Sequence, residues 1–337
     1  MKKYDVVGIG NAVVDIISPC DDVFLEKMGI EKGIMQLIEK SRAELLYNSM
    51  DVRTKAAGGS VANTIAGIGS LGRKTAFVGR VSDDELGRYY ADATSEGGTD
   101  FLNKPVRDGK LPTSRSMIFN SQDGNRSMNT YLGISGDLST DDIPTDLANL
   151  AAIVFLEGYL FDKDKGKQAF ETLAKETKLA GGKTGIAISD PFCVERHRDD
   201  FLTLIESDLD FVIGNDDEIK ALFEMEDLEK ALKQIAKICP LVVCTKAHEG
   251  VTAIQDSNRV DVGVNRISAV DTTGAGDQFA AGFLYGLASG YDLETNCKMG
   301  NIAAGEVIGH IGPRPKVSVK KLFVQSSLIS DLTDKEM

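Results

Sequence analysis

Strand-like and helix-like segments alternate along this 337-residue chain from one end to the other. That alternation is the pattern of a parallel sheet whose connections are helices lying on both faces. The sequence predicts strands over Tyr4–Gly8, Thr75–Val78, Ala152–Leu156, Ile186–Ser189, Phe211–Ile213, Leu241–Cys244 and Ile267–Val270. The apolar runs among them, such as Ala151 to Leu156, are far shorter than the roughly 20 residues that cross a bilayer, and suit strands buried on both sides. Helix starts are also legible. Ser41-Arg42-Ala43-Glu44 and Ser82-Asp83-Asp84-Glu85 read as capping boxes, in which Ser and Glu satisfy each other's orphan backbone donors. Ser60 is expected to cap a third helix with an apolar stripe of Val61, Ile65 and Ile68 and a stop at Gly72.

One region breaks the rhythm. From Pro112 to Leu132 two strand-like stretches flank Asp123-Gly124, which reads as a hairpin with a tight turn. A hairpin inside an α/β chain needs a surface to cover. The expected organisation is a discontinuous large α/β domain (1–14, 39–104 and 133–337) and a small β lid (15–38 and 105–132) over the mouth of the main sheet. Lids of this kind exclude water around reacting groups.

A formal charge of −13 without any Lys/Arg cluster argues against a nucleic-acid partner, since phosphate backbones are gripped by grouped cations. Five cysteines lack any Cys-x-x-Cys pair, which argues against disulfide frameworks and zinc sites and makes the cytoplasm the expected compartment. The N-terminal stretch reads as a first strand and not as a signal peptide, and no membrane association is expected. His197, His248 and His310 have no Cys or other His nearby at ligand spacing and read as surface or core histidines. Gly8-Ile9-Gly10 starts like a dinucleotide fingerprint, but its third glycine would fall at Val13.

The stretch that carries chemistry is Asp271-Thr272-Thr273-Gly274-Ala275-Gly276-Asp277, opening a helix with apolar Phe279, Phe283 and Leu284. Glycines allow a phosphate close to the backbone, and the free N–H groups of a first helical turn point at it. A carboxylate at Asp277 would there accept the proton of an attacking hydroxyl. The same residues also suit a plain helix start, where Asp is favoured.

This stretch resembles the C-terminal signature of the ribokinase family of carbohydrate and nucleoside kinases. Gly58-Gly59-Ser60-Val61-Ala62-Asn63-Thr64, continuing through Gly67, Leu71-Gly72 and Gly79 to Asp83 and Gly87, resembles that family's N-terminal pattern. The resemblance implies a ribokinase-like α/β fold, Asp277 as catalytic base, and Gly274, Ala275 and Gly276 as an anion hole. It implies that Asn215 and Glu218 lie near Mg²⁺ and the phosphates, Glu218 acting through water. It implies that Asp271 and Thr273 border a monovalent cation such as K⁺, and that Thr245 and Gly250 contact ATP. Ala247 stands where the family's nucleotide loop has its first glycine. Without the resemblance, Asp216, Asp217 and Glu218 would read as an acidic first turn.

Within the family, Gly-Gly-Ser-x-x-Asn-Thr, Gly124-Asn125-Arg126-Ser127 and Ser189-Asp190-Pro191-Phe192 resemble segments of adenosine kinases. Asn11 and Asp15 follow the first strand, at the carboxyl edge where open α/β sheets bind ligands, and Asp15 suits ribose hydroxyls, with Gly58, Gly59, Ser60 and Asn63 beside it. Leu37, Met128 and Leu132 offer either an apolar surface for a base or plain lid packing, and Tyr159 an aromatic wall. Arg126 either reaches phosphates as the lid closes or is a solvated hairpin arginine. The expected activity is ATP-dependent phosphorylation of the adenosine 5′-hydroxyl. The alternatives are a sugar kinase of the same family (fructokinase, ribokinase or sugar-acid kinase) and, remotely, a non-catalytic ligand-binding regulator. The expected assembly is a monomer or a homodimer through the lid.

Overall fold

The run after Leu150 shows why this sequence builds a two-sided sheet. Ile153 and Phe155 pack into one core and Val154 and Leu156 into another, so the strand has no solvent face. The computed structural model describes residues 2–265 and 267–330. In chain order its strands are β1 (Tyr4–Ile9), β2 (Val13–Pro19), β3 (Met35–Leu37), β4 (Thr54–Gly58), β5 (Thr75–Val78), β6 (Thr99–Phe101), β7 (Ser114–Asn120), β8 (Arg126–Tyr131), β9 (Ala151–Glu157), β10 (Lys183–Ala187), β11 (Phe211–Asn215), β12 (Leu241–Thr245), β13 (Val251–Gln255) and β14 (Asn258–Val262). Nine form one sheet in the order β14-β13-β12-β11-β10-β9-β1-β5-β6, parallel from β12 to β6 and antiparallel only at β13 and β14.

Helices Ser60–Ser70 and Ala275–Ser289 cover one side through Val61, Ile65, Phe279 and Phe283. Asp164–Leu179, Pro191–Asp208, Asp216–Phe223 and Leu228–Ile238 cover the other. The chain runs from β1 outward to β5 and β6, then returns to lay β9 on the opposite side of β1. That reversal opens a crevice at the carboxyl ends of β1 and β9, the usual ligand position in such sheets.

The remaining five strands form a second sheet, β3-β8-β7-β2-β4. The expected hairpin is β7–β8, paired antiparallel from Arg115↔Tyr131 to Asn120↔Arg126. The second sheet also takes β4, Thr54–Gly58, from a stretch expected in the large domain, and β2 begins at Val13. Period-2 alternation sorts its residues: Val14, Ile16, Met117 and Phe119 enter a core with Leu25, Ala43 and Leu46, while Val13, Asp15, Ser116, Met128 and Thr130 turn to a cavity between the two sheets.

Several expectations are corrected. Ile267–Val270 forms no strand; the Val270 N–H donates to the Ile308 carbonyl at 2.8 Å and both Ile267 and Val270 are about half exposed. The neighbouring sheet edge is taken by the β13–β14 hairpin. Ser41 lies inside the helix Lys40–Asn48, which has no side-chain cap. The helix Glu85–Glu96 is capped by Asp84, which accepts from the Gly87 N–H at 2.8 Å, and not by Ser82. Gly59 takes the cap position expected for Ser60, at φ +99, where a Cβ would lie 2.2 Å from the Asn11 carbonyl oxygen. The Ser60 hydroxyl is thereby freed for the site. Among the described residues no helix is long and apolar enough to cross a membrane.

Candidate active site

The helix Ala275–Ser289 starts where two cavities meet. One, of about 490 Å³, lies between the sheets; the other is a groove of about 1160 Å³ along β12–β14 and the helix Leu293–Val307. Thr272, Ala275 and Gly276 line both. Gly274 makes the turn possible: its φ is +74, and a Cβ there would stand 2.6 Å from Pro313 Cα. The Ala275 N–H donates to the Thr272 carbonyl at 3.2 Å. Of the expected anion-hole residues, Gly274 and Gly276 therefore have N–H groups without a carbonyl partner among the described residues, and Gly276 is exposed with open space at its Cβ position; the Asp277 N–H is the next.

Asp277 is where the two motifs join. Its Oδ1 accepts from Ser60 Oγ at 2.7 Å and its Oδ2 from Asn63 Nδ2 at 3.1 Å, while Thr64 Oγ1 donates to its carbonyl oxygen at 3.0 Å. Burial outweighs these donors and the charges of Arg314 and Arg126, and holds the carboxyl up at about 6. Such a group is ionised at neutral pH yet basic enough to take a proton.

Around it stand further buried ionisable groups. Asp15, on β2, is pushed by burial up to about 6 against the opposing fields of Arg126 and Arg314. Gly58 lies beneath it, since a Cβ there would meet the Asp15 carboxylate at 2.4 Å. Glu157, at the end of β9, accepts from the Asn11 N–H at 3.1 Å, Asn11 Nδ2 at 2.9 Å and the Val61 N–H at 3.1 Å, and burial raises it to about 7. Ser135 Oγ donates to Asn11 Oδ1 at 2.6 Å, so the Asn11 amide is fixed from both ends.

Arg126 is buried, and none of its three guanidinium nitrogens has a hydrogen-bond partner among the described residues; its nearest charge is Asp271 Oδ1 at 3.8 Å. The expectation of a solvated hairpin arginine is corrected, because β8 turns its side chain inward. Asp271 itself is engaged: Oδ1 accepts from the Thr273 N–H at 3.0 Å and Oδ2 from the Gly312 N–H at 2.9 Å. Asn215 and Glu218 form a reciprocal cap, with the Asn215 N–H to Glu218 Oε2 at 2.9 Å and the Glu218 N–H to Asn215 Oδ1 at 2.8 Å. Burial raises Glu218 to about 7, helped by Asp190, Asp216 and Asp217 nearby.

The lid supplies the rest of the smaller cavity. Met35 pairs with Met128 and Leu37 with Thr130 across β3–β8; Ser116 lies opposite Thr130, and Asp15 opposite Ser116. The lining thus grades from apolar Met35, Leu37, Met128 and Leu132 at one edge to a carboxylate at the other. Tyr159 lines the same cavity, with its N–H on Ser189 Oγ at 3.1 Å.

Thr245 and Gly250 line the larger groove, which they share with Ala275 and Gly276 and not with the other expected residues. Ala247, between them, sits at φ +45, a left-handed conformation that a Cβ disfavours by about 1–2 kcal/mol. Ala247→Gly removes that strain at the expense of unfolded-chain entropy. A net gain of about 0.5 kcal/mol, read as a rise of about 1–2 °C in thermal midpoint, is expected; a fall would show that neighbours hold the turn without strain.

Sequence reasoning missed Glu157 and Arg314. The first had a signal, a lone carboxylate ending an apolar run at a strand's carboxyl edge; Arg314, between Pro313 and Pro315, had none.

The switch-point crevice and the helix N-terminus thus bring two cavities together at Thr272, Ala275 and Gly276, beside the Asp277 carboxylate that lines the smaller one. The chain belongs to the pfkB family of carbohydrate kinases, whose pattern matches residues 30–320. Its fold matches the adenosine kinase from Sinorhizobium meliloti with a TM-score of 0.91 at 46% identity, over 96% of this chain and 99% of that one. A probable sugar kinase from Rhizobium etli CFN 42 matches with a TM-score of 0.92 at 42% identity, over 98% and 100%. In sequence, a 5-dehydro-2-deoxygluconokinase from Shouchella clausii is 26% identical over 316 residues, covering 91% of this chain and 90% of its own. The protein is thus a ribokinase-like phosphotransferase with an alcohol as acceptor, and its family implies ATP with a divalent metal. Among the described residues no group of three or more His, Cys, Asp or Glu side chains clusters to hold a metal. The buried Glu218 carboxylate, near Asp190, Asp216 and Asp217, already accepts from the Asn215 N–H and from Asn215 Nδ2 at 2.6 Å, so it would reach a cation only through water.

Proposed function

We propose that the protein phosphorylates the 5′-hydroxyl of adenosine, giving AMP and ADP, with Asp277 as the base. Bound ATP, with Mg²⁺, supplies the γ-phosphoryl group. The observation that carries the choice of a nucleoside is the gradient across the lid cavity: Met35, Leu37, Met128 and Leu132 give a flat base an apolar surface at one edge, and Asp15 receives ribose hydroxyls at the other. Gly59, Ser60, Asn63 and the fixed amide of Asn11 complete the ribose end, and Tyr159 walls it.

Asp277 takes the hydroxyl proton as the new O–P bond forms and the bond to the leaving ADP oxygen breaks. The N–H groups of Gly276 and Asp277, at a helix N-terminus, hold the transferring group, and Arg126 answers its charge. Thr245 and Gly250 would bind ATP in the groove; Asn215 and Glu218 would hold Mg²⁺ through water, and the ion would neutralise phosphate charge. Asp271 and Thr273, in a turn that the Asp271 carboxylate ties together, would border K⁺.

A second reading, a sugar or sugar-acid kinase, is favoured by the carboxylates Asp15 and Glu157 and the buried Arg126, which suit a polyhydroxylated acid, and by the relative from Shouchella clausii. The test is ADP release from Mg-ATP with adenosine, inosine, ribose, fructose and 5-dehydro-2-deoxygluconate. Turnover at low adenosine concentration is expected. Turnover confined to a free sugar or sugar acid would replace the acceptor and keep the mechanism.

A further inference from the structure

The loop after the helix Leu293–Val307 is tied to the site at three points. The Gly312 N–H donates to Asp271 Oδ2 at 2.9 Å, the Pro313 carbonyl accepts from Gln278 Nε2 at 3.1 Å, and Arg314 Nε donates to Asn63 Oδ1 at 3.2 Å. The third contact is of a different kind from the first two, because it decides which way a side-chain amide points. Asn63 is buried, and its carboxamide has one end on Arg314 and the other on Asp277 Oδ2, at 3.1 Å. An amide turned over would aim its oxygen at the Asp277 carboxylate, setting one acceptor against another.

We propose that Arg314 is a positioning residue of the phosphoryl-transfer site: by donating to Asn63 Oδ1 it keeps Asn63 Nδ2 on the catalytic carboxylate. The inference rests on the reading of Asp277 as the base. It follows from chemistry that only a donor at that place can fulfil the role, and Arg, which stays charged at every working pH, does so without titrating. Asp277 also feels Arg126, Asp15 and Glu157 from β8, β2 and β9. Asp15 feels Arg314 as well, so the part of a shift that passes through Asn63 is the part that disappears when Arg314 is changed in the Asn63→Ala background.

The experiment is a cycle of Arg314→Gln, Asn63→Ala and the double variant, with kcat and KM measured from pH 5 to 9 and thermal midpoints recorded. Arg314 is only half-buried, and Arg314→Lys is carried through the same cycle should the glutamine variant fold poorly. The expected result for Arg314→Gln is a fall in kcat of about 10–100-fold, the scale of a small misplacement at a reacting centre. Its acid limb should move to higher pH, because a carboxylate that loses a donor and a nearby cation is harder to ionise. In the Asn63→Ala background the same change should cost less than about 3-fold, since residues acting through one another are not additive. Losses that multiply in full, or an unchanged rate and acid limb in Arg314→Gln, would overturn the proposal. Asp277→Asn distinguishes the two levels: if it retains turnover, the base assignment itself fails, whereas an inactive Asp277→Asn beside a normal Arg314→Gln removes only the role of Arg314.

Discussion

Asp277→Asn is expected to lower kcat by about 10²–10⁴-fold, the usual contribution of a positioned general base, while ATP binding survives. The expectation follows from how the carboxylate is held. Asparagine has nearly the same shape, the Ser60 hydroxyl can turn to serve either end of it, and the helix start depends on the turn at Gly274 and not on the side chain at 277. The groove proposed for ATP is lined by Thr245, Gly250 and residues of the helix Leu293–Val307, and Asp277 is not among its lining residues. What is lost is the acceptor for the hydroxyl proton. The wild-type rate carries the matching signature: the base works only when ionised, and burial holds it at about 6, so kcat should rise between pH 5 and 7 and level off above. ADP release across that range, with an ATP-induced thermal shift on both proteins, checks the prediction. A variant with near wild-type turnover would assign the proton to another group, and Asp15, equally raised and facing the same cavity, would be the next to test.

Much of this arrangement was legible before any coordinates because the relevant signals are local. Buried parallel strands announce themselves as unbroken apolar runs, and β9 and β12 fall where Ala152–Leu156 and Leu241–Cys244 were expected. The two glycine-bearing motifs each start a helix, and the hydrogen bond from Ser60 to Asp277 joins positions 217 apart in sequence. The fold brings both to the carboxyl edge of one sheet, where topology places ligands. What the sequence hides is whatever depends on a partner. β4 reads as Thr54-Lys55-Ala56-Ala57-Gly58, with Thr54 as its one strand former, and is held by pairing with β2. Ile267–Val270 has the composition of a strand but pairs with none, and its Val270 N–H goes to the Ile308 carbonyl instead. Ser82 and Ser41 satisfy a capping pattern, yet Asp84 caps one helix and the other begins at Lys40, since the pattern fixes neither which oxygen reaches the N–H nor where the helix starts. Arg314 acquires meaning only when a loop 251 residues away lands on Asn63.

Arg126→Met is expected to separate activity from stability. A guanidinium buried without a hydrogen bond among the described residues forfeits the contacts that normally offset its desolvation, a cost of a few kcal/mol. Against that stands its field on Asp15 and Asp277, which favours their ionised forms. Removing the arginine abolishes both effects, and Asp271 keeps its two backbone donors. The net change in stability should therefore lie within about 1 kcal/mol, well short of the 3–5 kcal/mol lost when a fully paired buried charge is broken. Turnover should fall by about 10²–10³-fold, because the arginine's unspent donors are then missing as charge shifts onto the leaving phosphate. Methionine fills the volume without the charge, and the comparison with Arg126→Lys tests geometry: a point charge should recover only part of the loss that a planar fork supplies. Thermal midpoints and kcat measured on the same samples decide it. A large loss of stability with little change in kcat would make Arg126 a structural counter-ion for Asp271 and release it from the reaction.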